Sequence, residues 1–207
     1  RKEHKEECKR IKKELDNRGG KLNIGNELDL GPLPDLPPRE ECPICMCDMP
    51  LHEGLQMYSE CCGKTFCGGC NYQHQLTSGE RPACAFCREP ISGSNEELLA
   101  RARKRVERKD PKAALNIALE HGYGGHGLPV NQAKCIDLLR ECAGLGYPVA
   151  HYQLGNFHHN GEMGLKQNEE EGLKYWEKGA EGGHLMSRYN AGCKEYDNGD
   201  HVAAMRH

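Results

Sequence analysis

The sequence predicts a mainly α-helical chain in which a small metal-stabilised domain precedes an array of helical repeats. Nine of the 13 cysteines lie between Cys42 and Cys87, largely in C-x2-C pairs, a spacing typical of metal-binding turns. Further along, a glycine-punctuated helical pattern recurs at intervals of about 36 to 37 residues. With only 3 Phe and 1 Trp in 207 residues, the chain suits helices and bound metal better than a sheet-rich core.

Length and charge narrow the class of protein. A chain of 207 residues holds one ordinary domain or two small ones, and a net charge of −3 gives no support to a globally basic nucleic-acid-binding protein. No apolar run approaches the roughly 18 residues of a membrane helix, and RKEHKEECKRIKKEL at the start lacks the apolar stretch of a signal peptide. We therefore expect no membrane span. The first residue is not Met, which leaves open that the sequence is a fragment.

Composition divides the chain into five segments. The first is dense in Lys, Arg and Glu, with Ile11 and Leu15 at helical spacing, and the second is rich in Gly and Pro. The predicted segments are a charged helix (1–18), a linker (19–40), the cysteine domain (41–91), a linker with a basic helix (92–112) and the repeats (113–207).

The cysteine domain supplies enough thiols for two tetrahedral metal sites. Secreted disulfide scaffolds are short and cysteine-rich throughout, whereas these cysteines are confined to one segment. We therefore expect two zinc ions and a reducing compartment, the cytoplasm or the nucleus, with disulfides as the alternative. The eight candidate ligands are Cys42, Cys45, Cys61, Cys62, Cys67, Cys70, Cys84 and Cys87.

The order and spacing of these cysteines, together with the stretches CPIC and FCGGC, resemble the RING-type zinc finger. The resemblance implies a small cross-brace domain with a short β-hairpin and a helix, in which alternate pairs share a metal. Four thiolates on each zinc would close both sites and make them structural, because catalytic zinc keeps an open position. The implied sets are Cys42, Cys45, Cys67 and Cys70 for the first zinc, and Cys61, Cys62, Cys84 and Cys87 for the second.

One position departs from the family. A RING usually carries a histidine three residues before its fifth ligand, and here that position is Lys64. A lysine is a poor zinc ligand because its amine is protonated at neutral pH. Cys61, next to Cys62, is the natural replacement, and His74 and Cys47 are weaker candidates.

The resemblance also implies an activity. It places Ile44, inside the first C-x2-C pair, on the surface that docks a ubiquitin-conjugating enzyme. It gives Arg88, directly after the last cysteine, the role of a cation that bridges the conjugating enzyme and ubiquitin. The alternatives are ordinary packing for Ile44 and a surface charge for Arg88. Ala85 also departs from the family, which more often has Pro there.

The repeats follow from internal similarity. The stretch from Ala150, AHYQLGNFHHNGEMGLKQNEEEGLKYWEKGAEGG, pairs with the stretch from Ala114 and with the residues after Ser187. It resembles the Sel-one-like repeat, a relative of the tetratricopeptide repeat, over about two and a half units, the last of which is incomplete and would act as a cap. The aligned pairs are Gly125 with Gly161, Ala143 with Ala180, Gly146 with Gly183, and Gly155 with Gly192.

Several side chains in the repeats could belong either to the core or to a site. We expect Cys135 and Cys142 to be buried as small hydrophobic residues, and Trp176 to belong to the repeat core rather than to a binding hot spot. His158 and His159 suggest a metal site, but adjacent side chains on a helix diverge. We therefore expect them to be solvated turn residues.

Two functions of different classes follow. The first is a RING-type ubiquitin ligase that positions a ubiquitin-charged conjugating enzyme while the repeats bind a protein partner. The second is a non-catalytic, zinc-stabilised scaffold for protein–protein interaction. Nucleic-acid binding by the basic helices, near Arg10 and from Arg101 to Lys109, is weakly supported because the RING resemblance explains the cysteines without it.

Overall fold

A computed structural model describes residues 40–51, 53–79 and 82–207. This part of the chain is mainly helical, with eight α-helices and one two-stranded hairpin. None of these helices is long and apolar enough to cross a membrane. The charged helix expected over 1–18, and all of the expected linker except Glu40, lie outside the described residues.

The cysteine domain contains the expected hairpin, followed by a helix. Strands β1 (Gln56–Ser59) and β2 (Lys64–Cys67) are antiparallel, with Met57 opposite Phe66. Helix α1 (Gly68–Thr77) follows β2 directly, and its N-cap is Cys67, whose Sγ accepts a hydrogen bond from the amide of Cys70 at 3.4 Å. A predicted metal ligand therefore also starts the helix.

The hydrophobic core of this domain is very small. Among its described residues, the buried cluster consists of Cys42, Met49, Phe66, Cys84 and Ala85, and only Met49 and Phe66 are large. A segment of about 50 residues with so little apolar burial lacks the free energy to fold by packing alone. Apolar packing within the domain therefore contributes little to its stability.

Helix α2 (Asn95–Glu107) occupies the segment predicted as a linker and basic helix. Ser94 caps its first turn by accepting from the amide of Glu97 at 3.2 Å, and the carboxylate of Glu97 accepts from the amide of Gly93. This arrangement is close to a capping box, except that the carboxylate accepts from the residue before the N-cap instead of from the N-cap itself. Acidic residues in the first turn and basic residues in the last also complement the helix dipole.

Basic residues of α2 contact the cysteine domain. Arg105 donates to the carbonyl oxygens of Glu60 at 3.1 Å and Cys61 at 2.7 Å, both on the turn of the hairpin. Tyr58, on β1, donates to Asp110 at 2.7 Å, and burial and that bond raise the pKa of its phenol. We call these contacts of Arg105 and Asp110 the hairpin clamp. Because the hairpin clamp uses the guanidinium of Arg105, this basic residue of α2 has a structural role within the protein and is not simply available to bind nucleic acid.

The repeats are pairs of antiparallel helices that begin immediately after α2. Asp110, a member of the hairpin clamp, is also the N-cap of the first repeat helix and accepts from the amides of residues 112 and 113. The helices are α3 (Pro111–Tyr123), α4 (Gln132–Gly144), α5 (Pro148–Asn160), α6 (Glu169–Glu181), α7 (Leu185–Asp197) and α8 (His201–Arg206).

The turns show that corresponding residues of successive repeats are separated by 37 positions. Gly124 and Gly161 end α3 and α5 with left-handed φ angles of 78° and 72°, which glycine adopts without strain. The sequence alignment that paired Gly125 with Gly161 is therefore wrong by one residue, because the helix end requires the glycine at the left-handed position. The pairing of Gly146 with Gly183 agrees with the structure, where both have φ near 80°.

The cores of the repeats contain the residues expected from the sequence. Cys135 and Cys142 are fully buried, and burial raises the pKa of each thiol to about 11, so both remain neutral. Trp176 is only 5% exposed, and its Nε1 donates to Asn156 Oδ1 at 3.0 Å. These observations confirm all three as core residues.

The expectation for His158 and His159 is wrong. Both lie in the last turn of α5 rather than in a solvated turn, and both are half-buried. His158 stacks on Tyr175 with ring centroids 5.3 Å apart, and His159 contacts Trp176 at 4.8 Å. The two side chains diverge as expected, but each packs against α6 because the next helix covers this end of α5.

These contacts predict that acid destabilises the repeats. Burial lowers the pKa of His121, His151 and His158, so below the ordinary value of about 6.5 the unfolded chain binds more protons than the folded one. Stability is therefore lost as the pH falls below that value, by at most about 1.4 kcal/mol per histidine for each pH unit.

The measurement is thermal unfolding followed by Trp176 fluorescence at pH 7.5 and 5.5. We expect His158→Gln, which cannot be protonated, to reduce the difference in melting temperature between the two pH values. His207→Gln, at an exposed histidine, is the matched control. If the melting temperature differs between the two pH values by as much in His158→Gln as in the wild type, protonation of His158 is not a cause of the acid destabilisation. Effects of acid on the cysteine domain are common to all variants and cancel in this comparison.

Candidate metal centres

The turn of the hairpin places two adjacent cysteines so that both can serve one site. Cys61 and Cys62 lie between Ser59, the last residue of β1, and Lys64, the first residue of β2. The amide of Gly63 donates to Ser59 O at 2.7 Å, and Gly63 has a left-handed φ of 68°. The chain reverses at this point, which brings two neighbouring thiols to the same end of the hairpin.

The first and last C-x2-C pairs form equivalent turns. In each turn, the carbonyl oxygen of the first cysteine accepts a hydrogen bond from the amide of the residue four positions later. The amide of the same cysteine donates to the carbonyl oxygen of the residue five positions later. Met46 and Arg88, which directly follow the second cysteine of each turn, both have left-handed φ angles, 59° and 65°. The bonds are Met46 N to Cys42 O, Cys42 N to Cys47 O, Arg88 N to Cys84 O and Cys84 N to Glu89 O.

The eight cysteines meet in two groups of four, and within each group every pair of Sγ atoms is within 4.8 Å. In group 1, Cys42 lies 3.9 Å from Cys70, and Cys45 lies 3.9 Å from Cys67. In group 2, the separations are 3.4 Å for Cys61 and Cys87, and 3.9 Å for Cys62 and Cys84. Group 1 is Cys42, Cys45, Cys67 and Cys70, and group 2 is Cys61, Cys62, Cys84 and Cys87.

Both groups fit a metal ion in size and chemistry. A tetrahedral zinc with Zn–S bonds of about 2.3 Å requires sulfur atoms about 3.8 Å apart, close to the separations observed. Each donor set consists of thiols, the ligands that favour zinc over hard cations such as magnesium. The two groups could therefore hold metal ions, and the identity of those ions as zinc stays a prediction.

Electrostatics within each group also suit a cation. Burial works against ionisation of Cys42, but main-chain amide donors and the thiol of Cys45 outweigh it and lower its pKa to about 6. In group 2 burial likewise opposes ionisation of Cys84, yet hydrogen bonds, first from Ser59, lower its pKa to about 6. Burial and the neighbouring cysteines raise the pKa of Cys61 and Cys70. A divalent cation would offset the repulsion between neighbouring thiolates and allow the remaining thiols to ionise.

The other candidate ligands lie outside both groups. Lys64 is exposed at the start of β2, and Cys47 is exposed with its Sγ donating to Cys45 O at 3.6 Å. His74, on α1, is half-buried and contacts Arg88 instead, with 2.7 Å between Arg88 Nη1 and His74 Nδ1. Of these side chains and Cys61, it is Cys61 that joins Cys62, Cys84 and Cys87 in the second group.

The two equivalent turns expose apolar side chains. Ile44 and Phe86 occupy the same position, directly before the second cysteine of each turn, and each is 39% exposed. Arg88, two residues after Phe86, is also exposed. Sequence reasoning singled out Ile44 but missed Phe86, although the parallel between CPIC and CAFC was available. It also missed the contact of His74 with Arg88, which no local pattern signals.

Comparison with known families identifies the repeats. The family model for the Sel1 repeat matches residues 111–147 and 148–184, which correspond to the 37-residue units of the structure. The chain therefore carries Sel1 repeats, which indicate a scaffold for protein–protein interaction. No RING family model matches the cysteine domain. No curated protein matches the chain.

The solved structures that are similar to this chain include two repeat proteins. One is a Sel1 repeat protein from Oxalobacter formigenes, with 25% identity and a TM-score of 0.48 over 55% of this chain and 45% of that one. The other is c5321, described as a protective antigen of uropathogenic Escherichia coli strains displaying an SLR fold, with 25% identity and a TM-score of 0.45 over 51% of this chain and 22% of that one. The chain spans less than half of either protein.

Proposed function

We propose that the chain is a RING-type ubiquitin ligase whose repeats bind a protein partner. The observation that supports it most strongly is the exposure of Ile44 and Arg88 on the two equivalent cysteine turns. Each of these residues adjoins a different cysteine group, so the two groups together would set the distance between an apolar docking side chain and a cation.

Metal ions have a structural role in this proposal. Zinc bound by each cysteine group would cross-link the turns, the hairpin and α1, replacing the apolar core that the domain lacks. Four thiolates leave no position for a reactive water, so the ion takes no part in chemistry. The chain also contributes no nucleophile, since a ligase of this class acts by orienting two bound proteins.

The chain's own groups would act through position and charge. Ile44 and Phe86 would bury apolar surface against the conjugating enzyme and determine its orientation. The guanidinium of Arg88 would donate hydrogen bonds to the conjugating enzyme and to ubiquitin, which restricts the thioester to conformations suited to attack. Such restriction raises the rate without any new covalent step.

The hairpin clamp supports a division of labour between the two parts. Arg105 and Tyr58 tie the hairpin to α2 and to the N-cap of α3, so a partner on the repeats would be held in a defined direction from the cysteine domain. A cleft of about 350 Å³ lies at this junction and is lined by residues of both parts, among them Tyr58, Thr65, Lys112, Leu115 and Val149.

The test is release of ubiquitin from a panel of charged conjugating enzymes by the full chain. We expect fast release by the wild type and a loss of about tenfold or more in Arg88→Ala, the size of effect expected when one well-placed transition-state contact is removed. Ile44→Ala should cause a similar loss at limiting concentrations of conjugating enzyme, because it removes apolar surface from the docking contact. Arg103→Ala and Leu145→Ala, at an exposed arginine and an exposed leucine away from the cysteine turns, are matched controls.

Absence of release across the whole panel, by a wild type with both metals bound, would contradict the ligase proposal. It would favour the second function, a non-catalytic scaffold. One observation supports that alternative: the family model matches the repeats and not the cysteine domain. Under either function, binding of a protein partner to the repeats should survive Arg88→Ala.

A further inference from the structure

We infer that His74 is a positioning residue that holds the guanidinium of Arg88 before the conjugating enzyme binds. This inference rests on the proposed ligase function. Its basis is the 2.7 Å contact between Arg88 Nη1 and His74 Nδ1, which joins α1 to the last cysteine turn. The second ring nitrogen, Nε2, lies 3.2 Å from the carbonyl oxygen of Ala83, on the other side of the same turn.

The hydrogen bonds define one state of the imidazole. Arg88 Nη1 lies 2.7 Å from Nδ1 and 3.5 Å from Nε2 of His74, and arginine can only donate. We therefore assign Nδ1, the nearer nitrogen, as the acceptor, and Nε2 as the nitrogen that carries the proton directed at Ala83 O. The ring thus connects α1 to both flanks of the turn that holds Cys84 and Cys87. The ring is half-buried, and its two nitrogen contacts restrain its orientation.

The contact restrains Arg88 without consuming it. Arg88 is exposed to solvent, and its side chain contacts His74. A guanidinium has five N–H donors, and a single bond to His74 leaves the others for the conjugating enzyme and ubiquitin. Holding a long side chain in place beforehand reduces the conformational entropy lost on binding.

The experiment is single-turnover release of ubiquitin by the full, zinc-loaded chain. We expect His74→Ala to slow release about three- to tenfold, the equivalent of one hydrogen bond of modest net strength. His74→Asn, whose Oδ1 can accept from Arg88 near the position of Nδ1, should recover most of the rate. Gln75→Ala, an exposed position on the same helix, is the matched control and should behave as the wild type.

Three further readouts separate positioning from a merely structural role. Affinity for the uncharged conjugating enzyme should be unchanged in His74→Ala, and zinc content should stay at the wild-type level. In the Arg88→Ala background, His74→Ala should cause no additional loss. Long-range proton–nitrogen NMR should show an unprotonated Nδ1 in the wild type whose resonance shifts in Arg88→Ala.

The outcomes distinguish the two proposals. If Arg88→Ala abolishes release while His74→Ala equals the wild type, positioning by His74 is wrong and the ligase proposal stands. An equal loss from His74→Ala with and without Arg88 also overturns the inference, because the effect then does not pass through Arg88. If the wild type releases no ubiquitin, or if Arg88→Ala is as fast as the wild type, the ligase proposal fails and the inference fails with it.

Discussion

Removal of metal from the full chain is expected to unfold the cysteine domain and leave the repeats folded. The purified protein should contain about two zinc ions, one for each group of four thiols. Structural zinc contributes on the order of 10 kcal/mol per site, whereas the described residues of this domain bury only Met49 and Phe66 as large apolar side chains. The repeats have a continuous buried core of their own and no residue in either cysteine group.

The measurement is hydrogen exchange after treatment with a chelator. Amides of β1 and β2 should lose protection, while those of α5 and α6 keep it and Trp176 fluorescence changes little. Loss of metal without loss of protection in the hairpin would show that the cysteine domain folds by packing after all.

Single cysteine variants make the metal prediction specific. Cys61→Ser should lower the zinc content to about one ion per chain, because it removes one of the four thiols of the second group. Cys47→Ser is the control, since Cys47 is a cysteine of the same domain that lies outside both groups. Two zinc ions in Cys61→Ser would mean that another side chain completes the second site.

The features that the sequence predicted well are those determined by local rules. The repeat interval could be recognised because each unit requires the same caps, such as Asn131 and Asn168, which accept from main-chain amides at 2.9 Å and 3.0 Å. The two sets of cysteines and the hairpin between them were expected instead from the resemblance of the cysteine spacing to the RING-type zinc finger, and the structure brings the same two sets of four together.

The features that escaped prediction depend on contacts between distant segments. Arg105 appears in the sequence as one of several basic residues on a helix, yet it binds carbonyl oxygens on the hairpin turn, and main-chain acceptors leave no mark in composition. His158 and His159 were misjudged because the histidines adjoin a glycine-rich turn, while their burial is decided by α6. The contact of His74 with Arg88 joins a helix to a turn 14 residues away.

The close approach of α5 and α6 gives the second large effect, in the repeats. A methyl group added at Gly155 would overlap the indole ring of Trp176 and lie 3.1 Å from the carbonyl oxygen of Gly172. On the other helix, a methyl group at Gly172 would lie 3.0 Å from the carbonyl oxygen of Gly155. The two backbones therefore touch, and neither can move without disturbing the other helix.

Gly155→Ala is accordingly expected to destabilise the repeats, by up to about 2 kcal/mol. Overpacking a close-packed contact costs roughly 1 to 3 kcal/mol, and the indole of Trp176 is also held by its bond to Asn156, which prevents an easy shift. The gain in helix propensity from glycine to alanine, about 1 kcal/mol, offsets part of that cost. Chemical denaturation followed by Trp176 fluorescence measures the net change.

Gly144→Ala separates the packing cost from the propensity gain. Gly144 is also a helical glycine of the repeats, in the last turn of α4, but a methyl group there would meet nothing within 4 Å. We expect this variant to be as stable as the wild type or slightly more so, because only the entropy of the unfolded chain changes. Equal stability of the two variants would contradict the close helix contact, since Gly155→Ala would then show that α5 and α6 separate at little cost.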